Sequence, residues 1–108
     1  MIEESYVSFE TAKLLKEKWF DKDWVDGSVE KYLNGTEGYS LPTLAIAMKW
    51  LREVHHIFIQ IELYSKYDDY NFEIFQNTHR LWIEERTIYS TYTETVEMGI
   101  KYCLEHLI

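Results

Sequence analysis

Two hydrophobic periods meet in the middle of this chain. From Ser40 to Tyr64 the sequence SLPTLAIAMKWLREVHHIFIQIELY carries apolar residues every three to four positions and then at every second one, with no turn signal between. The pattern predicts a helix that feeds directly into a strand. Ser40 is the expected N-cap, with Pro42 in the first turn, where its missing amide hydrogen costs nothing. On a helical wheel Leu41, Leu44, Ala45, Ala47, Met48, Trp50, Leu51, Val54 and His55 span an arc of roughly 220°, leaving Lys49, Arg52, Glu53 and His56 for water. So wide an arc implies burial on more than one side. The strand then alternates, Ile57, Ile59, Ile61 and Leu63 on one face, Phe58, Gln60, Glu62 and Tyr64 on the other.

The flanking segments read in the same way. Ser8 is a plausible N-cap for a helix from Phe9 to about Trp19, with Phe9, Ala12, Leu15 and Trp19 near one face and Glu10 at the positive end of the dipole. Between Phe20 and Tyr39 the pattern dissolves around Asp26-Gly27 and Asn34-Gly35, both suited to turns that need a positive φ. Ser28 to Leu33 is long enough for one short strand, or the whole segment is an Ω-like surface loop anchored by Trp24 and Tyr32. After the polar run Tyr64-Ser65-Lys66-Tyr67-Asp68-Asp69, residues Tyr70 to Phe75 resume a period of two, which predicts an antiparallel hairpin. Asn77-Thr78-His79 is a second polar break, and Leu81-Trp82-Ile83 offers a third strand. Thr91-Tyr92-Thr93-Glu94 fits a capping box. Val96, Ile100, Cys103 and Leu107 then form an apolar stripe with Gly99 and Leu104 beside it, Glu97 and Lys101 are an expected i,i+4 pair, and the stripe's reach predicts a packed C-terminus.

Composition narrows the class. The chain has 108 residues, 46% of them hydrophobic and 17% aromatic, with four Gly and one Pro, which suits one globular domain over residues 1–108 and not a disordered chain. The net charge of −8 argues against direct nucleic-acid binding, which is driven by Lys and Arg neutralising phosphates, and Lys13, Lys16 and Lys18 are interleaved with Glu10, Glu17 and Asp21. A single cysteine permits no intramolecular disulfide. The acidic start MIEESYVSFE has no apolar signal region, and no apolar run approaches the ~18 residues of a membrane span. The expected setting is cytoplasmic, away from membranes.

Candidate chemistry is sparse. His55 and His56 are neighbours about 100° apart on a helix, and Glu53 with His56 would make only a weak two-ligand site. A histidine held at the helix end is the simpler reading. Cys103 lies on an apolar stripe near a C-terminus, the position of a buried small hydrophobe and not of an activated thiolate. The glycines are too scattered for a P-loop or dinucleotide fingerprint, and Asp68-Asp69 and Glu84-Glu85 read as solvated charge. No catalytic residue, metal ligand or cofactor site is assigned. Trp50 and Trp82 fall on core-patterned positions. Phe58, Tyr64, Tyr67, Phe75, Tyr89 and Tyr92 are left for a sheet face or rim, and such an aromatic surface is typical of protein contacts.

Pro42-Thr43, Met48-Lys49-Trp50-Leu51-Arg52-Glu53-Val54-His55, the alternating strand, and Ile100-Lys101-Tyr102-Cys103-Leu104-Glu105 with Leu107-Ile108 together carry a resemblance. In these residues the chain resembles a group of small proteins of phages and mobile elements of gut bacteria. That group has no established activity, so the resemblance implies a genomic setting and no site.

The expected architecture is α+β, three helices packed on one face of a small antiparallel sheet that is a hairpin or a three-stranded meander. The expected function is a non-enzymatic protein-interaction module that binds a protein partner or itself through Phe58, Gln60, Glu62, Tyr64, Tyr67 and Phe75. Two alternatives stand beside it. One is an acidic nucleic-acid mimic that inhibits a DNA-binding protein; the other is a ligand binder or small enzyme with a cleft between helix and sheet near His55, His56 or Glu62.

Overall fold

The computed structural model describes residues 5–20, 29–33, 37–63, 69–81 and 88–108, with 29–33 and 37–40 described in their backbone. The element order is α1 (Phe9–Glu17), β1 (Val29–Leu33), β2 (Glu37–Leu41), α2 (Leu44–His55), β3 (Ile57–Leu63), β4 (Tyr70–Gln76), β5 (His79–Leu81) and α3 (Tyr92–His106). The fold is α+β: three helices, a three-stranded antiparallel sheet in the order β3-β4-β5, and a separate antiparallel pair of β1 with β2.

Helix α1 begins at Ser8, whose hydroxyl accepts from the Thr11 amide, and ends two residues earlier than its apolar face suggests. The Phe20 amide donates to the Leu15 carbonyl and the Trp19 amide to that of Lys16, the paired bonds of a Schellman ending, with Trp19 at φ 66°. That left-handed position usually belongs to glycine, which is why the sequence hides it. Trp19 is thereby turned outward, 86% exposed and not on the buried face, and Phe20 turns in to meet Trp50 edge-on at 5.5 Å.

The segment expected to hold one strand or an Ω-like loop contains two strands, paired from Val29↔Leu41 to Leu33↔Glu37. That pairing also moves the start of α2. Ser40 lies in β2 and Pro42 precedes the helix, its carbonyl accepting from the Val7 amide; the N-cap is Thr43, whose hydroxyl accepts from the Ile46 amide at 3.1 Å. Proline's bias against α conformation in the residue before it agrees with Leu41 remaining extended. The apolar arc of α2 is correspondingly narrower than the wheel suggests. Leu44, Ala47, Trp50 and Leu51 are buried, whereas Ala45 and Val54 face solvent.

The predicted passage from helix to strand is present, and one residue makes it. His56 adopts the left-handed conformation, φ 56° and ψ 37°, its amide donates to the Leu51 carbonyl, and β3 starts at Ile57. β3 and β4 pair over seven positions, from Ile57↔Gln76 to Leu63↔Tyr70. Asn77 and Thr78, at φ 50° and 70°, supply the two positive-φ residues of a tight hairpin turn, so His79 already belongs to the third strand. That strand, expected at Leu81-Trp82-Ile83, is β5 over His79–Leu81; Trp82 and Ile83 lie outside the described residues. A further antiparallel bridge joins Tyr70 to Tyr89.

The core lies between helices and sheet. Leu15, Leu51, Ile57, Ile74, Ile100 and Leu104 are all within 1% of complete burial. Each such side chain contributes roughly 1.5–3 kcal/mol relative to an exposed one. Helix α3 starts at Thr91, whose hydroxyl accepts from the Glu94 amide, and lies on β3 and β4. Gly99 permits the approach: a Cβ there would stand 3.0 Å from Ile59 Cγ2 and 3.4 Å from Phe72 Cγ. Helix α2 packs on β3 and α3, and α1 on α3 and β2.

A polar seam fastens α1 to α3. The Glu97 carboxylate accepts from the Ser8 amide, the Ser8 hydroxyl and the fully buried Thr11 hydroxyl, at 3.0, 2.7 and 2.6 Å. The expected Glu97–Lys101 pair is replaced by these bonds, and Lys101 instead reaches Glu10 at 2.6 Å and Glu105 at 3.9 Å. The hydrogen bond to Glu10 is the main reason the Lys101 ammonium holds its proton above its ordinary pKa. At the C-terminus Leu107 and Ile108 are half-buried, and the Lys18 ammonium donates to the Ile108 carbonyl oxygen at 2.7 Å.

Candidate interaction surface

Cross-strand partners share a face of the sheet, so the register sorts the side chains. Ile57, Ile59 and Ile61 lie on the side of Ile74, Phe72 and Leu81, under α3. Phe58, Gln60 and Glu62 lie on the other, beside Phe75, Glu73, Asn71 and Arg80. Of the expected interaction residues, Phe58 is 49% exposed and stands opposite the half-buried Phe75; Gln60 is exposed and Glu62 half-buried. Tyr64 and Tyr67 lie outside the described residues. Sequence pattern alone missed the ion pair on this face, Arg80 to Glu73 at 2.8 Å. The two residues come from adjacent strands, in a register set by the Asn77-Thr78 turn, and no local spacing announces them.

The hydrogen-bond pattern also orients the backbone of β3. The Asn77 amide donates to the His56 carbonyl, one step beyond the Ile57↔Gln76 pair, while Tyr70 and Tyr89 exchange both their bonds on the opposite side of β4. In an antiparallel ladder alternate residues address the same neighbour. The amides and carbonyls of Phe58, Gln60 and Glu62 therefore point to β4, and those of Ile57, Ile59, Ile61 and Leu63 point away from it. With the strand order β3-β4-β5, β3 is an edge among the described residues.

The two edges of the sheet differ. β5 is described over His79–Leu81 and carries His79 and Arg80, and Tyr89 pairs with β4 on the same side through its bridge to Tyr70. β3 has seven residues, pairs with β4 without a bulge, lacks Pro, Lys and Arg, and holds Glu62 as its single charge. Short edge strands, bulges and lysines are the usual means of preventing a sheet edge from pairing further. Among the described residues β3 has none of them; its last residue, Leu63, is 61% exposed, whereas its first, Ile57, is 1% exposed and covered.

The titratable and nucleophilic groups are arranged differently. His55 packs edge-on against Trp50 at 4.7 Å, and its Nε2 is buried with no hydrogen-bond partner among the described residues. Desolvation, and next the neighbouring His56, push its pKa below the usual value. Cys103 is fully buried on the inner face of α3, and desolvation pushes its thiol up to about 12, the opposite of an activated nucleophile. Tyr89, expected on an uncovered face or rim, is half-buried and stacks on Phe72 at 6.3 Å, whereas Tyr92 is 54% exposed and meets Tyr70 edge-on at 6.2 Å. Among the described residues no three His, Cys, Asp or Glu side chains gather at a metal-binding distance, and no helix is long and apolar enough to cross a membrane.

Comparison with known proteins yields no match to a family model, a curated protein or a solved structure.

Proposed function

We propose that this chain is a non-enzymatic protein-interaction module of phage or mobile-element origin, docking through β3. The observation that supports the reading is the stretch of β3 from Phe58 to Leu63, which carries outward-pointing backbone groups and the exposed side chains of Phe58 and Leu63. Main-chain bonds at such an edge supply affinity, and alternate side chains supply selectivity. Phe58 and Phe75, side by side on the face away from α3, are the aromatic anchors. The resemblance of the helix-strand unit to phage and mobile-element proteins supports the setting.

The test is retention of a protein, whether another chain or a second copy, by the wild type and by Phe58→Asp, with folding of both checked by circular dichroism. The reading predicts that the retained species is lost in the variant while the fold persists. Equal retention by wild type and variant, or retention of nothing by either together with a strictly monomeric wild type, would end it.

A further inference from the structure

Among the described residues one buried side-chain polar atom lacks a hydrogen-bond partner, Nε2 of His55. Buried polar atoms ordinarily have one, so the exception calls for a cause. The His55 ring is half-buried and stands edge-on to Trp50 at 4.7 Å, and Phe20, at the end of α1, meets the same indole edge-on at 5.5 Å. Trp50 is 2% exposed, and these two rings are part of its cover. We infer that this cluster is a proton-operated latch: when His55 takes up a proton its ring leaves Trp50 for solvent, and the last turn of α2 and the Phe20 contact loosen with it. The latch does not depend on β3 as a docking surface.

The neutral ring fits this site and the charged ring does not. A neutral imidazole can carry its proton on Nδ1 and leave Nε2 as a bare lone pair, whereas the charged ring donates from both nitrogens. A proton on Nε2 would have no acceptor among the described residues. The indole face and the negative end of α2 favour a cation here, but burial, and next the neighbouring His56, outweigh them and hold the His55 pKa below its ordinary value. Among the described residues no carboxylate contributes to reverse that balance. On α2, Arg52, Glu53 and His56 are exposed. Helix α3 has Glu94 exposed in its first turn, Glu97 engaged by Ser8 and Thr11, Glu105 facing Lys101, and His106 against Tyr102. At the end of α1 the Lys18 ammonium is bonded to the Ile108 carbonyl, and β3 carries its one charge at Glu62, near its far end. The way out is short. Part of the His55 ring already meets solvent, and the turn is closed by the amide of left-handed His56, bonded to the Leu51 carbonyl. Ile57, 1% exposed, anchors the chain beyond it and confines the opening to the end of α2.

Amide exchange followed by NMR tests the latch turn by turn. The His56 amide, bonded to the Leu51 carbonyl, reports the last turn of α2, and the Ala47 amide, bonded to the Thr43 carbonyl, reports the first. Protection factors remove the intrinsic pH dependence of exchange. Between pH 7.5 and 5.5 protection at His56 is expected to fall severalfold in the wild type while that at Ala47 holds. An imidazole with its ordinary value near 6.5 in the open form sets a ceiling of about tenfold on the fall. His55→Phe keeps a ring against Trp50 with nothing to titrate and is expected to abolish the fall, as is His55→Gln should the larger ring disturb folding. His56→Asn, whose side chain tolerates the left-handed position, is expected to retain it. Equal loss of protection at Ala47 and His56 would mean that the whole chain unfolds, and overturns the inference. So does a fall that persists in His55→Phe and His55→Gln, a fall absent from the wild type, or one that vanishes in His56→Asn.

Discussion

Neighbouring residues of β3 live in different worlds: Ile57 is 1% exposed beneath the helices, and Phe58, one position on, is 49% exposed on the far face. The strand that completes the core with Ile57 presents Phe58 to solvent on its other face. Core and surface are thus separated by the pleat, and a change at one position should leave its neighbour's role almost untouched.

The strongest challenge to that separation is the pair of substitutions themselves. Ile57→Ala opens a cavity in a packed core and is expected to cost about 2–5 kcal/mol. Phe58→Ala, at a half-exposed position, is expected to change stability by about 1 kcal/mol or less while removing binding. Urea unfolding of both, with the association assay alongside, checks the contrast. Similar stability losses at the two positions would mean that Phe58 is packed as Ile57 is.

Gly99→Val tests the closed side from the helix. The added Cβ would begin 3.0 Å from Ile59 Cγ2, so α3 or the sheet must shift, at an expected cost of about 1–3 kcal/mol. The same substitution is expected to leave the pattern of exposure at Phe58 and Leu63 unchanged, which limited proteolysis or surface labelling can follow.

Glu97→Gln is expected to cost about 1–2 kcal/mol, since an amide cannot accept all three of the bonds that fasten α1 to α3 as well as a carboxylate does. The loss should appear in the denaturation midpoint with no effect on association through β3, because the seam lies on the helical side.

The smallest effect concerns pH at the junction of the two regions. The lowered pKa of His55 means that the unfolded chain binds a proton more readily than the folded one. Its contribution to stability is therefore fully present above the ordinary value near 6.5 and is lost as pH falls through the folded value. Denaturation midpoints of the wild type and His55→Asn, compared at pH 7.5 and 5.5, should show a smaller acid loss in the variant. An identical loss would show that His55 does not titrate in this way.

The same contrast explains what could be read from sequence. Periods of 3.6 and 2 placed α2, β3, β4 and α3, because those segments bury one face and leave the other wet, and burial writes itself into local spacing. Features decided by partners distant in sequence were not legible. Ser40 has the chemistry of an N-cap, yet β2 pairing claims it and Thr43 caps instead. Trp19 has the spacing of a core residue, yet a left-handed helix ending turns it outward. Glu97 and Lys101 have the spacing of an ion pair, yet α1 supplies nearer partners for both. Phe58, Gln60 and Glu62 were legible as a separate face. That β3 is an edge among the described residues was not, because strand order is a property of the whole sheet.

Amide hydrogen exchange along β3 tests the central claim most directly. The amides of Phe58, Gln60 and Glu62 are directed to β4 and are expected to exchange slowly at every protein concentration. Those of Ile59 and Ile61 are expected to exchange fast in the isolated chain and to slow when a bound protein covers the edge. Slow exchange at Ile59 and Ile61 in the isolated chain, matching that at Gln60, would contradict the account, because the edge would then be covered within the single chain.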